Sequence, residues 1–547
     1  MTNSSERPAK AACKLDADIG QYILSNTDGD FSAIVKKDYR WQVLYHLDVQ
    51  STGLLCWYPF RKNSSLLQIG GGFGNLTGML CDKCEFVTVL EHDDYRAYCI
   101  RRRWNTKTNL RVVSGYISAF SSPEKYDYIV VNIVPGSPEP VFSPQGYVSL
   151  LLQAKKMLAD HGKLLFAVSN KLGIQYLCGT PDPSTGIPFD GPNAYTTGAS
   201  LPSLSKAELS EVLRSTEFPT VKFFYPFPDH YLPQMIYTDD YPPGEELIER
   251  LRIYLTEHDS LVIDPVKLYR YLADENLLLS FSNSFLVECC DGEPCPVLYV
   301  SVSTERKREE SFSTIILNNR TVEKHPLYPE GLKGLERIVK NLSDLKARDI
   351  PVISCRLDNE RLIMPHIQAP TLSKHLRDLA AHDKSGFVRC LDKLYHFILK
   401  SSEHVPADKN ALAGSAPISH WGPILARAYP EMIPVNCFYD HEELVFFDQE
   451  FVKENYPAKY VMFRAINDVY MFFPQLEEHV PLSKIKKRYG LTSELWRAFA
   501  QEEDRFQDQL RQRETYQHFY KWKPSDIKEK RIKIARNGRL LLDGYKA

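Results

Sequence analysis

The sequence has no apolar run approaching the ~20 residues that a bilayer-spanning helix needs. It also lacks an excess of either charge: 67 Lys and Arg face 69 Asp and Glu, for a formal net charge of −2. A balance this even gives no electrostatic ground for a nucleic-acid partner or for strong attraction to an anionic membrane. The segment from Met1 to Leu15 is polar and has no apolar core, so it does not read as a signal peptide. A soluble, cytoplasmic protein is expected, in at most peripheral contact with the inner face of a membrane. Cysteine is present twelve times, but the thiols are scattered through apparent strands and helices, not spaced as a disulfide framework. Cys81 and Cys84 form a lone C-x-x-C, and Cys289, Cys290 and Cys295 cluster without histidines at ligand spacing. Buried small side chains explain them better than zinc or redox chemistry.

What the chain does have is length: 547 residues, too many for one core, suggest two to four units. The stretch that organises it is Ser65 to Asn75, where the apolar residues Leu66 to Ile69 run into Gly70, Gly71, Gly72 and Gly74. A strand, a glycine turn and a helix in that order form a nucleotide-type cofactor site, because glycine permits positive φ and lets a ligand approach bare backbone. Asn75 stands where a dinucleotide fingerprint requires its third glycine, and no Lys-Ser or Lys-Thr follows to make a P-loop. A second apolar run, Phe86 to Leu90, ends in Glu91. An acidic side chain about 20 residues beyond the first glycine is placed to accept hydrogen bonds from both ribose hydroxyls. The competing readings are a purely structural strand–helix turn and a solvated carboxylate.

Strands and helices then alternate. Leu110 to Val113 leads to Tyr116, Tyr126 to Val131 leads to Asn132, and Lys163 to Ser169 follows a helix at Val148 to Leu158. The alternation predicts a doubly wound, mostly parallel sheet, an α/β fold with its ligand at the carboxyl ends of the strands. Residues 1–25 read as disordered, and Phe31 to Phe60 as helices and a loop. The Gly- and Pro-rich stretch from Gly179 to Pro202 is long enough to act as a lid. Val221 to Tyr225 and Gln234 to Tyr237, flanking Pro226 to His230, read as a closing hairpin on the sheet edge. This order, with the G-x-G-x-G spacing of Gly70, Gly72 and Gly74, resembles a class I S-adenosylmethionine-dependent methyltransferase with a Rossmann-like fold, a domain expected over 26–241. The resemblance implies that those glycines wrap the methionine and ribose of S-adenosylmethionine, that Glu91 holds the ribose, and that the adenine lies near Tyr116. Gln68 stands where many such enzymes carry an acid. Asn132, Asp229 and His230 are the candidates for contact with the methyl acceptor, Asn132 being assigned the catalytic part.

After a helical linker (242–277), a second unit is expected over 278–485. There the order of Lys324, Glu336, Glu431, Asn436 and Asp448, with a small hairpin between the last two, resembles the protein-kinase-like fold. The resemblance implies ATP and Mg²⁺ as cofactors. Lys324 becomes the strand lysine, Glu336 its helix partner, Glu431 the catalytic base, Asn436 and Asp448 the metal ligands, and Met364 to Gln368 the adenine hinge. The base position usually holds Asp, and no glycine-rich loop precedes Lys324. An inactive kinase-like domain, or an α+β domain whose Asn436 and Asp448 cap turns, is the alternative. A C-terminal helix and basic tail are expected over 486–547. The helix is suited to pack on the second unit or to pair with a second copy, and the tail to touch anionic lipid.

In domain order the chain resembles the bacterial bifunctional methyltransferase–kinase enzymes of surface-polysaccharide biosynthesis. That implies a glycan or glycan-phosphate acceptor and glycosyltransferase partners. The alternatives are a methyltransferase for a small molecule or protein with an inactive second unit, and a non-catalytic scaffold.

Overall fold

The computed structural model describes residues 10–26, 29–132, 143–182, 185–195, 203–244, 246–254, 261–414, 420–516 and 518–519. The chain divides into two compact units, one of Met1–Thr304 with Glu514–Ala547 and one of Glu305–Arg513. No helix among the described residues is long and apolar enough to cross a membrane. All twelve cysteines are free thiols.

In the first unit the apolar runs form β1 (Ser65–Ile69), β2 (Phe86–Glu91), β3 (Leu110–Ser114), β4 (Tyr126–Asn132) and β5 (Leu158–Ser169). They lie in the order β3-β2-β1-β4-β5, and every neighbouring pair is parallel. The order reverses between β1 and β4, which opens a crevice at their carboxyl ends. The strands are near-continuous apolar runs because helices cover both faces of such a sheet.

The sheet then departs from expectation. β6 (Thr220–Phe227) and β7 (Met235–Thr238) do pair as an antiparallel hairpin, but neither pairs with β5. Between β5 and β6 lies β8 (Ser284–Cys290), antiparallel to both, and β9 (Val297–Val302) lies outside β7. The hairpin is therefore internal to the sheet. The boundary expected at 242–277 moves to Thr304, since β8 and β9 complete the first sheet. The expected linker also packs inside this unit. Tyr254 and Tyr269 are buried, Tyr254 donating its hydroxyl to Asp229 and Tyr269 receiving a hydrogen bond from Asn283 at 3.2 Å.

The amino terminus is a second correction. Residues 14–25 are not disordered but form a helix, α1 (Lys14–Ser25), whose Asp16 makes a buried two-pronged ion pair with Arg96 at 3.0 and 3.1 Å. The short helices α2 (Ser32–Val35) and α3 (Trp41–Leu47) follow, as expected for the aromatic stretch. Thr515, Tyr516 and Phe519 are buried in this same unit, where the Tyr516 hydroxyl donates to Asp48 Oδ2 at 3.0 Å.

The second unit opens with four antiparallel strands, β10 (Phe312–Leu317), β11 (Thr321–Pro326), β12 (Arg356–Asp358) and β13 (Arg361–Pro365), in the order β12-β13-β11-β10. The helix Leu332–Lys346 lays Leu335, Ile338 and Leu342 against Phe312, Leu362 and Met364. A larger core joins helices Leu372–His382, Lys384–Lys400, Ala458–Phe472 and Ser493–Arg511 to the hairpin Cys437–Asp440/Glu443–Phe446. The helix Ser493–Arg511 contributes Leu495 and Phe499 to that core, with Trp496 edge-on to Phe463. It thus packs within the second unit, and the expected segment 486–547 is divided between the units. The basic tail lies outside the described residues.

Candidate functional site

β1 ends at Ile69, and Gly70, Gly72 and Gly74 turn the chain with φ of 79°, 55° and 79°. These are left-handed values that side chains other than glycine rarely adopt. A Cβ on Gly70 would also stand 2.6 Å from the Asn132 carbonyl oxygen, and one on Gly74 would stand 2.8 Å from Trp104 Nε1. Trp104 fixes the turn from outside by donating to the Gly74 carbonyl at 2.8 Å.

Glu91 closes β2 beside this turn and is 1% exposed. Its Oε2 accepts from the Gly72 amide at 2.8 Å, and its Oε1 accepts from the Asp93 amide at 3.1 Å. The carboxylate therefore faces the glycine loop and orients it. Gly115, after β3, donates to the Glu91 carbonyl at 2.9 Å, which brings the β3 turn alongside. Tyr116 there is 41% exposed and stacks on His92 with ring centroids 5.7 Å apart. Gln68 lies within β1 and is fully buried, its Oε1 accepting from Thr77 at 2.8 Å while its Nε2 has no partner among the described residues. The residue that departs from the usual acid thus braces the loop from beneath.

Asn132, at the end of β4, is 2% exposed and donates through Nδ2 to the Tyr45 hydroxyl at 3.0 Å, while its Oδ1 has no partner among the described residues. The rings of Tyr45 and Tyr231 meet edge to face at 5.1 Å, and the Tyr231 hydroxyl lies 3.4 Å from Ser169 Oγ at the end of β5. His230 follows. Its ring centroid is 3.9 Å from that of Tyr231, it is 1% exposed, and neither ring nitrogen has a partner among the described residues. Burial pushes its pKa down to about 3, so the imidazole is neutral. Asp229 accepts from the amides of Tyr231 and Leu232 and from the Tyr254 hydroxyl, and burial pushes its carboxyl up to about 6. Tyr45, Tyr231 and Tyr254 join these residues without a motif to mark them. The aromatic density of Phe31 to Phe60 was the available signal for Tyr45 alone.

In the second unit, Lys324 on β11 is 3% exposed and ion-pairs with both Asp448 and Glu450. Burial opposes the ammonium charge, yet the two carboxylates outweigh it and hold the lysine pKa above its ordinary value. The expected partner Glu336 is exposed on the helix Leu332–Lys346, on the face away from buried Leu335, Ile338 and Leu342. Its place beside Lys324 is taken by Glu450, which also binds Arg306 at 2.8 Å. Neighbouring Arg337 donates to the Glu450 carbonyl at 2.6 Å and to Glu310 at 2.8 Å.

Glu431 does reach this cluster, where its Oε2 accepts from the amides of Glu450 and Phe451 at 2.5 and 3.2 Å. Burial, with Glu450 and Asp448 nearby, raises its pKa. Asn436 and Asp448 flank the open end of the hairpin, whose register pairs Cys437 with Phe446. Phe447 donates to the Asn436 carbonyl at 3.0 Å. Met364 lies on β13 opposite Val322, and the connector after Pro365 leads into the helix Leu372–His382. Glu450, Gln449, Arg306 and Asn341 are additions to the sequence reading. Asn341 donates to the Gln449 carbonyl at 2.8 Å, and Gln449 to the carbonyls of Glu431 and Phe447. Among the described residues no group of three or more His, Cys, Asp or Glu side chains is arranged to hold a metal ion.

No family model matches the sequence, and no curated protein matches it. Solved structures do resemble parts of it. Phosphoethanolamine N-methyltransferase 1 of Haemonchus contortus matches at 12% identity with a TM-score of 0.29, over 51% of this chain and 50% of that one. The N-methyltransferase NodS of Bradyrhizobium japonicum matches at 12% identity and a TM-score of 0.26, over 47% of this chain and 99% of that one. An S-adenosylmethionine-dependent methyltransferase of Clostridium acetobutylicum matches at 18% and 0.23, over 29% and 63%. The chain thus spans about half the length of the first of these proteins. All three are methyltransferases.

Proposed function

We propose that the first unit is an S-adenosylmethionine-dependent methyltransferase. One observation carries the reading: at the switch point of a parallel sheet, the Gly72 amide and the Glu91 carboxylate are joined at 2.8 Å. This arrangement sets bare backbone beside an acidic acceptor. The residues fit the cofactor on two further grounds. A Cβ at Gly70 would collide with the Asn132 carbonyl, so the turn stays bare backbone, and Asn132 Oδ1 is buried with no partner among the described residues. Glu91 retains lone pairs for the ribose hydroxyls, Gly70 to Gly74 line the methionine and ribose path, and Tyr116 offers a ring for the adenine. When bound, S-adenosylmethionine supplies an already activated methyl group. The protein's part is to align an acceptor and exclude water. The test is calorimetric titration of S-adenosylhomocysteine into the full chain and into Glu91→Ala. Submicromolar to micromolar binding that the substitution weakens at least about tenfold supports the reading. Equal binding by both proteins sinks it.

For the second unit, the Lys324–Asp448 pair beside the Asn436 hairpin favours a kinase-like site for ATP and Mg²⁺, with Glu431 as the base and Asn436 and Asp448 as the metal ligands. Titration of ATP with Mg²⁺ into the full chain and into Asp448→Ala decides it. Binding that the substitution abolishes supports nucleotide handling, and no binding leaves a structural unit. A glycan acceptor, glycosyltransferase partners, self-association and contact with the inner membrane face belong to the same proposal and follow from the domain-order resemblance.

A further inference from the structure

Five side chains at the carboxyl ends of β4 and β5 form one neighbourhood: Asn132, Tyr45, Tyr231, Ser169 and His230. They are linked by the 3.0 Å Asn132–Tyr45 bond, the 5.1 Å Tyr45–Tyr231 contact, the 3.4 Å Tyr231–Ser169 contact and the 3.9 Å His230–Tyr231 contact. A fully buried imidazole whose two nitrogens have no partner among the described residues is costly, because each polar group has given up water and received nothing from them in exchange. A neutral imidazole offers one donor and one acceptor, and Asn132 Oδ1 offers a second acceptor. A hydroxyl group, itself one donor and two acceptor lone pairs, complements that set.

The surroundings decide against charged acceptors. Arg96, whose charge acts on Tyr45, has its guanidinium committed to Asp16, and the carboxylate nearby, Asp229, would repel a phosphate. No lysine or arginine among the described residues hydrogen-bonds to any of the five. An ammonium group would leave the His230 acceptor nitrogen as its partner, but the Asp229 carboxylate is already held by two amides and the Tyr254 hydroxyl. Ion pairing therefore gives a cation little advantage here.

We propose that the methyl acceptor is an uncharged hydroxyl, an alcohol or a phenol, and that His230 receives its proton. The inference rests on the S-adenosylmethionine reading above. The hydroxyl oxygen forms the new C–O bond as the C–S bond of the sulfonium breaks and its electron pair returns to sulfur. The proton on that oxygen becomes far more acidic as the bond forms, so even an imidazole weakened by burial accepts it. Positive charge moves from sulfonium to imidazolium, and the total charge of the site is unchanged.

The test uses the full chain saturated with S-adenosylhomocysteine and three probes of similar size: phenol, phenyl phosphate and benzylamine. Phenol is expected to bind at least about tenfold more tightly than either charged probe. That advantage is lost in His230→Phe, which keeps the ring volume, and partly restored in His230→Gln, which keeps a donor and an acceptor. S-adenosylhomocysteine affinity stays within about twofold in both variants, which also reports that they fold. A charged probe that equals phenol, phenol affinity unchanged in His230→Phe, or no probe bound overturns the proposal while leaving the cofactor reading intact. Failure of the wild-type chain to bind S-adenosylhomocysteine overturns both.

Discussion

The buried polar groups of the two units are satisfied in different ways. In the second unit the ionic groups face one another: Lys324 holds Asp448 and Glu450, Glu450 also holds Arg306, and Glu431 ties down the backbone of the same turn. In the first unit Asn132 Oδ1, Gln68 Nε2 and both nitrogens of His230 are buried with no partner among the described residues. A ligand that reaches the first site meets polar atoms with nothing to give up. A nucleotide that reaches the second must compete with an ion pair already made in a low-dielectric interior. The first site leaves neutral polar atoms open, whereas in the second the charges are already paired and only Arg306 Nε and Gln449 Oε1 of the cluster's side chains lack a partner among the described residues.

Removing one partner of the closed cluster is the harshest way to break that contrast. Lys324→Met leaves Glu450, 2% exposed, facing Asp448 without the lysine between them. A cost of about 3–5 kcal/mol is expected, read as earlier urea unfolding of the second unit in the full chain. Glu336→Gln, on the exposed helix face, should stay within about 0.5 kcal/mol. If the two variants unfold alike, the cluster is not what holds this turn in place.

The open site is broken by filling it. Gly70→Val adds a Cβ 2.6 Å from the Asn132 carbonyl at a φ of 79°, so backbone strain and collision act together. S-adenosylhomocysteine affinity should fall by about a hundredfold or more, measured by calorimetry. Retained affinity would mean that the cofactor does not use this turn.

How much of this was legible in the sequence depends on whether the chemistry is local. The glycine turn and Glu91 were legible because a few residue types at short spacing define both, and the parallel pairing of β1 to β5, though not their order, followed from their alternation with helices. The place of β8 was not. Ser284 to Cys290 is buried along its whole length, and such a run reads as an interior strand without saying which sheet receives it. The kinase-like motif points to Glu336 by position alone, although the buried positions Leu335, Ile338 and Leu342 place it on the solvent side of the helix. Helix α1 carries little local signal because it is held by one distant pair, Asp16 to Arg96, and by Ile19 and Ile23 among polar residues.

A smaller effect sharpens the comparison from the side of the first unit's cover. Burial pushes the Asp48 carboxyl up to about 6 from an ordinary 3.8, although the Gln50 amide and the Tyr516 hydroxyl both donate to it. A folded-state pKa above the unfolded one means that the folded chain binds more protons. The stabilisation is therefore complete below pH 3.8 and is lost as pH rises to about 6. Asp48→Asn should remove on the order of 2 kcal/mol of pH dependence across that window, followed as urea midpoints at pH 4, 5, 6 and 7. The same slope in both proteins would assign it to another group, with Asp229 the next to replace.

The smallest effect expected is at the rim of the open site. Tyr116 is 41% exposed and its ring rests on His92, so replacing it removes a stacking surface without opening a cavity. Tyr116→Ala should weaken S-adenosylhomocysteine by about threefold to tenfold, while Tyr116→Phe, which keeps the ring, should change it by less than about twofold. That pattern would place the adenine on the ring face. An equal loss in both variants would instead assign the effect to the hydroxyl, and no loss in either would move the adenine away from the β3 turn and leave Glu91 and the glycines as the whole of the cofactor's grip.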